Sequence, residues 1–128
     1  MVNLAFGWSW IVAGFFAGGA LGMGFDRADF LGGYASWKRR LLRLAHVAMI
    51  ALGVLNILFA SSVDHASLRA SWEAAASWAL VAGAVLMPAC CILAAWVPRA
   101  KMLFGAPIVA LAFGATVVAV GLFRGVLS

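Results

Sequence analysis

His46 has a side chain that can bind metals and exchange protons, and it lies in an apolar segment that follows a basic run. At 1.5 Å per residue of helix, it lies roughly 9 Å beyond residue 40, where that run ends. Imidazole nitrogens bind transition metals and haem iron, so His46 is a candidate axial ligand to a haem or a pigment, or a metal ligand. Polar packing or contact with a lipid headgroup is the alternative role, and the sequence favours it.

Three sulfur-containing side chains form a second candidate group in another apolar segment. Met87, Cys90 and Cys91 precede Pro98, and the cysteines lie about 10 Å from that proline along a helix. This depth is similar to that of His46, so the two groups could meet if their helices are neighbours. Thioether and thiolate ligands suit copper, or the position opposite His46 on a haem. The alternative is that each cysteine is only a small buried packing residue.

A stripe of polar and small residues surrounds His46 on its own helix. Residues 46, 49, 53, 56 and 60 fall within about 80° of one another at 3.6 residues per turn. A His and an Asn are costly facing lipid, so the stripe is predicted to face the bundle interior or a partner subunit. Met49 and Asn56 therefore join His46 as candidate cofactor-binding residues.

The elements that must hold these side chains are apolar helices. Of the 128 residues, 66% are hydrophobic and 10% are charged, far outside the average of soluble domains. A helix of about 20 apolar residues spans a bilayer with its backbone polar groups paired. The sequence predicts one all-α transmembrane domain over residues 1–128, an integral membrane four-helix bundle. The predicted spans are about 2–25, 41–63, 74–97 and 104–123.

Positive charge is distributed unevenly among the connections between these spans. Seven Lys and Arg residues belong to the first and third connections and their edges, against Arg69 and Arg124 on the opposite side. Because Lys and Arg favour the cytoplasmic side, both termini are predicted to be non-cytoplasmic, in a bacterial inner membrane. These loop charges explain the basic pI, so nucleic acid is not an expected partner. The cations predicted to contact lipid headgroups are Lys38, Arg39, Arg40 and Arg43.

Small residues predict where the helices approach one another. Gly14, Gly18 and Gly22 are spaced four apart on the first span, the pattern of close helix contacts in membranes. This seam could lie inside the bundle or could bind another protein, and the sequence leaves both open. In the third span, Pro88 frees the carbonyl of Ala84 and predicts a kink with a polar spot.

The functional expectation follows from what the spans contain. No Asp, Glu or Lys lies deep in any of them, which disfavours a proton pump or a cation-coupled carrier. The sequence favours a small non-catalytic subunit of a larger membrane complex, in a respiratory or other electron-transfer assembly, with lipids and other integral membrane subunits as partners. One alternative is a homo-oligomeric channel or carrier that uses the Asn56 stripe and the Pro88 kink. Another is a haem- or pigment-binding protein that uses His46, and the sequence does not identify a cofactor.

Overall fold

A computed structural model of the chain describes residues 2–127 and shows helices joined by short connections. Each of the four long helices has the length and apolar composition needed to cross a membrane. Short 3₁₀ helices occupy parts of the connections, at residues 30–32, 63–65 and 98–104. The helices are α1 (Val2–Gly22), α2 (Trp37–Ser62), α3 (Ala70–Trp96) and α4 (Gly105–Leu127).

The helices begin and end a few residues away from the predicted spans. Both α2 and α3 begin four residues before the expected apolar segments, at Trp37 and Ala70, because backbone hydrogen bonding continues through polar residues that hydropathy excludes. At the start of α2, the Ser36 side chain caps the helix by accepting a hydrogen bond from the Arg39 amide at 3.2 Å.

The helices are arranged as an open row. α1 packs on α2, α2 on α3, and α3 on α4, whereas α1 and α4 share no extensive contact within residues 2–127. The four helices of the predicted bundle are therefore arranged side by side, without extensive contact between the first and the last among the described residues. In the apolar stretch of each helix, the share of buried residues is 44% for α3, against 17% for α1 and 11% for the segment that contains α4. α3 is accordingly the most enclosed helix, and α1 and α4 leave wide apolar faces uncovered.

Glycine permits the closest approach between α1 and α2. A Cβ added at Gly7 would lie 2.6 Å from the carbonyl oxygen of Gly53, and one added at Gly53 would lie 2.8 Å from that of Gly7. Gly14 and Gly18 continue this contact toward the other end of α1, whereas a Cβ at Gly22 would meet nothing within 4 Å. The seam therefore follows Gly7, Gly14 and Gly18, and Gly22 lies outside it.

A similar fit joins α3 to α4. A Cβ added at Gly83 would lie 2.5 Å from Cγ of Leu111, and one added at Gly114 would lie 2.7 Å from Cγ of Leu80. Each large side chain thus fills the space left by a glycine on the facing helix. Such close packing stabilises helix contacts in lipid, where the hydrophobic effect gives them no driving force.

The seam between α1 and α2 makes a direct stability prediction. Gly7→Ala places a methyl group against the backbone of Gly53, and we expect it to lower the free energy of unfolding by about 1–3 kcal/mol. The measurement is denaturant unfolding of the purified chain in detergent.

Gly19→Ala is the matched control, because a Cβ at Gly19 meets nothing within 4 Å. This change should leave stability unaltered or raise it by up to about 1 kcal/mol, since alanine favours the helix. Equal effects of the two substitutions would contradict the close approach at Gly7.

Candidate functional site

A buried polar network joins three helices at the end of the molecule where α1 begins. Asn3 Nδ2 donates to Asn56 Oδ1 at 2.8 Å and to the backbone carbonyl of Ser77 at 3.2 Å. The Ser77 hydroxyl in turn donates to Asn3 Oδ1. Asn3 lies on α1, Asn56 on α2 and Ser77 on α3, so the network holds the three helices in one register.

Asn56 uses its whole side chain in this network. Its Nδ2 donates to the carbonyls of Leu52 at 2.9 Å and Leu80 at 3.4 Å, while its Oδ1 accepts from Asn3. The residue is 0% exposed. Asn56 thus faces the protein interior, as its stripe predicts, with both N–H groups engaged inside the protein. Asn3 was not predicted, although it is the only amide side chain of the first span and could have been identified on that ground.

Two tryptophans bind the backbone carbonyls that prolines leave without an amide partner. A carbonyl in a helix normally accepts from the amide four residues later, so Pro88 frees Ala84 and Pro98 frees Ala94. Trp10 Nε1 of α1 donates to the Ala84 carbonyl at 3.0 Å. Trp37 Nε1 of α2 donates to the Ala94 carbonyl at 2.9 Å. The polar spot predicted at Ala84 therefore has its partner inside the protein.

His46 lies on the face of α2 that packs against α1. A Cβ added at Gly18 would lie 2.9 Å from Cδ2 and 3.2 Å from Nε2 of His46, so the edge of the imidazole rests on that glycine. The Nδ1 atom is buried and has no hydrogen-bond partner among the described residues. Met49 occupies the same seam, and its Cβ would lie 3.2 Å from a Cβ added at Gly14. An imidazole nitrogen that has no partner among the described residues can form a hydrogen bond or ligate a metal.

The sulfur-containing residues lie on α3. Cys90 is 7% exposed and Cys91 0% exposed, and both are free thiols. Met87 is half-buried one turn earlier. Within residues 2–127, no group of three or more His, Cys, Asp and Glu residues is placed to hold a metal ion. His46, Cys90 and Cys91 thus do not form such a cluster in the described part of the chain.

The first connection folds over the start of α2 through a left-handed turn. Leu31, Gly32 and Gly33 have φ angles of 54°, 87° and 93°, a region that glycine adopts freely and leucine only with strain. The Ser36 hydroxyl donates to the Leu31 carbonyl at 2.7 Å and ties the turn to the helix cap. This turn brings three aromatic side chains of the connection onto α2.

Those aromatic side chains enclose Arg39. Its guanidinium carbon lies 4.0 Å from the ring centre of Tyr34, 4.7 Å from that of Phe25 and 6.0 Å from that of Phe30, distances suited to cation–π attraction. Nη2 donates to the Phe25 carbonyl at 3.3 Å, whereas Nε and Nη1 are buried without a partner among the described residues. Arg39 is only 2% exposed.

The basic cluster predicted to contact lipid headgroups is consequently divided. Arg39 is enclosed by the first connection, while Lys38, Arg40 and Arg43 are exposed at the start of α2. Arg39 precedes His46 by two helical turns, which is roughly 10 Å along the axis and nearly the same face. Buried Arg39 and half-buried His46, each with buried nitrogens that have no partner among the described residues, therefore lie on one side of α2. Sequence spacing alone did not single out this relation.

The helices and their buried contacts indicate a small all-helical protein of the integral membrane class. Comparison with models of known protein families, with curated proteins and with solved structures found no match.

The contact between Trp10 and the Ala84 carbonyl can be tested by a double-mutant cycle. Trp10→Phe removes the indole N–H, and we expect it to lower the free energy of unfolding by about 1 kcal/mol through the lost hydrogen bond. In a Pro88→Ala background the loss from the hydrogen bond should largely disappear, since the introduced alanine supplies the amide that the carbonyl lacks. Denaturant unfolding of the four chains in detergent measures the coupling.

Both backgrounds contain the same Trp-to-Phe change in packing, so the cycle isolates the hydrogen bond. A cost of Trp10→Phe that is equal with and without Pro88 would contradict the assigned partner.

Proposed function

We propose that this protein is a small, non-catalytic integral membrane subunit of a larger membrane complex. The proposal rests on one observation: polar groups within the spans join the helices to one another. The side chains of Asn3, Asn56 and Ser77 bind one another or the backbone. Trp10 binds the Ala84 carbonyl. Polar groups in lipid are otherwise expected to serve substrates, ions or protons. Groups that are engaged inside the protein serve its architecture instead.

The uncovered face of α1 supports a partner helix as the binding target. Phe15 and Phe16 are 65% and 77% exposed, and Gly19 and Gly22 beside them have open space around their α-carbons. Small residues next to large apolar ones form the holes and knobs of helix contacts in membranes. We assign the partner subunit to this face.

The same contacts make a channel or carrier the weaker proposal. A path along the Asn56 stripe would need polar groups that can release their partners as a solute passes. Both N–H groups of Asn56 are donated within the protein, and the carbonyl freed by Pro88 accepts from Trp10. Opening that path would break several buried hydrogen bonds at once, at about 1–3 kcal/mol each.

Native purification tests the proposal. We expect the tagged chain, extracted from its own membranes in mild detergent, to retain other integral membrane subunits in fixed proportion. The chain alone in liposomes should give no solute flux. Gly19→Leu should release the partner, whereas Gly105→Leu, at an equally open position on α4, should retain it. Flux through the purified chain without partners would favour the channel and contradict the subunit proposal.

We further propose that both termini face the non-cytoplasmic side of a bacterial inner membrane. The support is the difference in charge between the two ends of the molecule. The end that contains the first and third connections holds most of the Lys and Arg residues, and such residues favour the cytoplasmic side. A reporter enzyme that is active only outside the cytoplasm should therefore be active when fused after Ser128 and inactive when inserted in the first connection. The opposite pattern would reverse the orientation.

A second candidate function, the binding of a haem or pigment, is favoured by one specific observation. Within residues 2–127, His46 Nδ1 and the Nε and Nη1 atoms of Arg39 are buried without a hydrogen-bond partner. An imidazole nitrogen can ligate haem iron, and a guanidinium on the same side of α2 can bind an acidic group of the cofactor. This function would give the complex its place in a respiratory or other electron-transfer assembly.

A visible spectrum of the natively purified protein tests this second candidate. If it is correct, the spectrum should show cofactor absorbance that His46→Ala abolishes. His65→Ala is the control, because His65 is exposed in the second connection. Absence of absorbance in the native protein, or its survival in His46→Ala, would remove the candidate.

A further inference from the structure

A groove of about 600 Å³ runs between the start of α3 and the second half of α4. It is separate from the Asn56 network and from His46. Arginines line one end of the groove, and mainly apolar side chains line the rest. The residues that matter for its chemistry are Arg69, Trp72, Phe113, Val117, Val120 and Arg124.

Two arginines line the groove where α3 begins and α4 ends. Arg69 is the residue that precedes α3, and Arg124 lies in the last turn of α4. Because the two helices are antiparallel neighbours, these positions are at the same level of the molecule. Among residues 2–127, no carboxylate side chain lines the groove, and neither arginine forms an ion pair. Within the described part of the chain, the end of the groove therefore presents two cations without a counter-charge.

The groove becomes apolar away from the arginines. Phe113 precedes Arg124 by eleven residues, about 16 Å along the helix, and Val117 and Val120 line the interval. The Trp72 ring lies 6.2 Å from the Phe113 ring, centre to centre. A cationic end followed by about 16 Å of wall that is apolar except at Thr116 matches an amphiphile with an anionic head and a hydrocarbon tail.

Backbone contacts hold the second connection against α4 and so keep the arginines together. The Ser67 amide donates to the Gly121 carbonyl at 3.1 Å. A Cβ added at Gly121 would lie 2.7 Å from Leu68, so the connection rests directly on that glycine. Arg69 follows Leu68 in the chain and is positioned beside α4 by this contact.

We propose that the groove between α3 and α4 is a binding site for one anionic phospholipid. Its phosphate is held between the guanidinium groups of Arg69 and Arg124, since guanidinium forks fit phosphate oxygens. One acyl chain lies along Val120, Val117 and Phe113. A zwitterionic lipid brings its own cation to the same two arginines and binds less well. The site goes beyond the proposed function and needs no partner subunit.

Lipid binding to the whole purified chain tests the proposal. After delipidation in detergent, native mass spectrometry compares phosphatidylglycerol with phosphatidylcholine of identical acyl chains. We expect a preference of about tenfold for phosphatidylglycerol, from two cations near one phosphate. Arg69→Gln with Arg124→Gln should abolish the preference. Equal binding of the two lipids by the unaltered chain would overturn the proposal.

The matched control is Arg99→Gln with Lys101→Gln, which removes two exposed cations from the connection at the other end of α3. We expect this variant to keep the preference, and an equal loss would show that overall charge, not the groove, selects the lipid. Gly121→Leu retains both arginines but displaces Leu68, so we expect it to lose the preference while circular dichroism remains helical. Full preference in that helical variant would also overturn the site.

Discussion

The hydrogen bonds among Asn3, Asn56 and Ser77 are the interaction on which the rest of the arrangement depends. An amide in hydrocarbon has no water to bind, so it must find partners in the protein. The partners of Asn3 and Asn56 lie on different helices, and this couples the positions of α1, α2 and α3. The register so defined brings Gly7 against Gly53. At that register Trp10 also reaches the Ala84 carbonyl.

In this fold, close packing lets the helices approach one another, and hydrogen bonds define their position along the helix axis. Van der Waals contact at glycines lets helices approach, but it is weakly directional and would tolerate sliding. The indole N–H groups of Trp10 and Trp37 each bind a carbonyl that a proline has freed, and each of these carbonyls has a fixed position along α3. In this way Pro88 helps to define where α1 contacts α3, and Pro98 where α2 contacts α3.

The two ends of α2 differ in how completely their polar groups are paired. Near the network, Asn56 has donors and acceptor engaged. Toward the first connection, aromatic rings enclose Arg39. Among residues 2–127, two buried nitrogens of Arg39 and one of His46 have no hydrogen-bond partner. Burial of a guanidinium without a carboxylate is costly, and cation–π contact offsets part of that cost. The end with unpaired groups is therefore where an additional acceptor would stabilise the protein most.

Composition and hydropathy were sufficient to predict the all-α class and the four apolar helices, because a helix in lipid satisfies its own backbone and needs no long-range contact. The polar stripe likewise indicated that Asn56 faces away from lipid, toward the bundle interior or a partner subunit. The choice of neighbours was decided only by tertiary structure: Gly14 and Gly18 enter the seam while Gly22 does not, and Arg39 is buried while Lys38 and Arg40 remain exposed. These outcomes depend on the rotation and register of one helix against another and on the fold of the first connection. Periodicity within one helix records which residues share a face, but carries no information about the side chain that meets them.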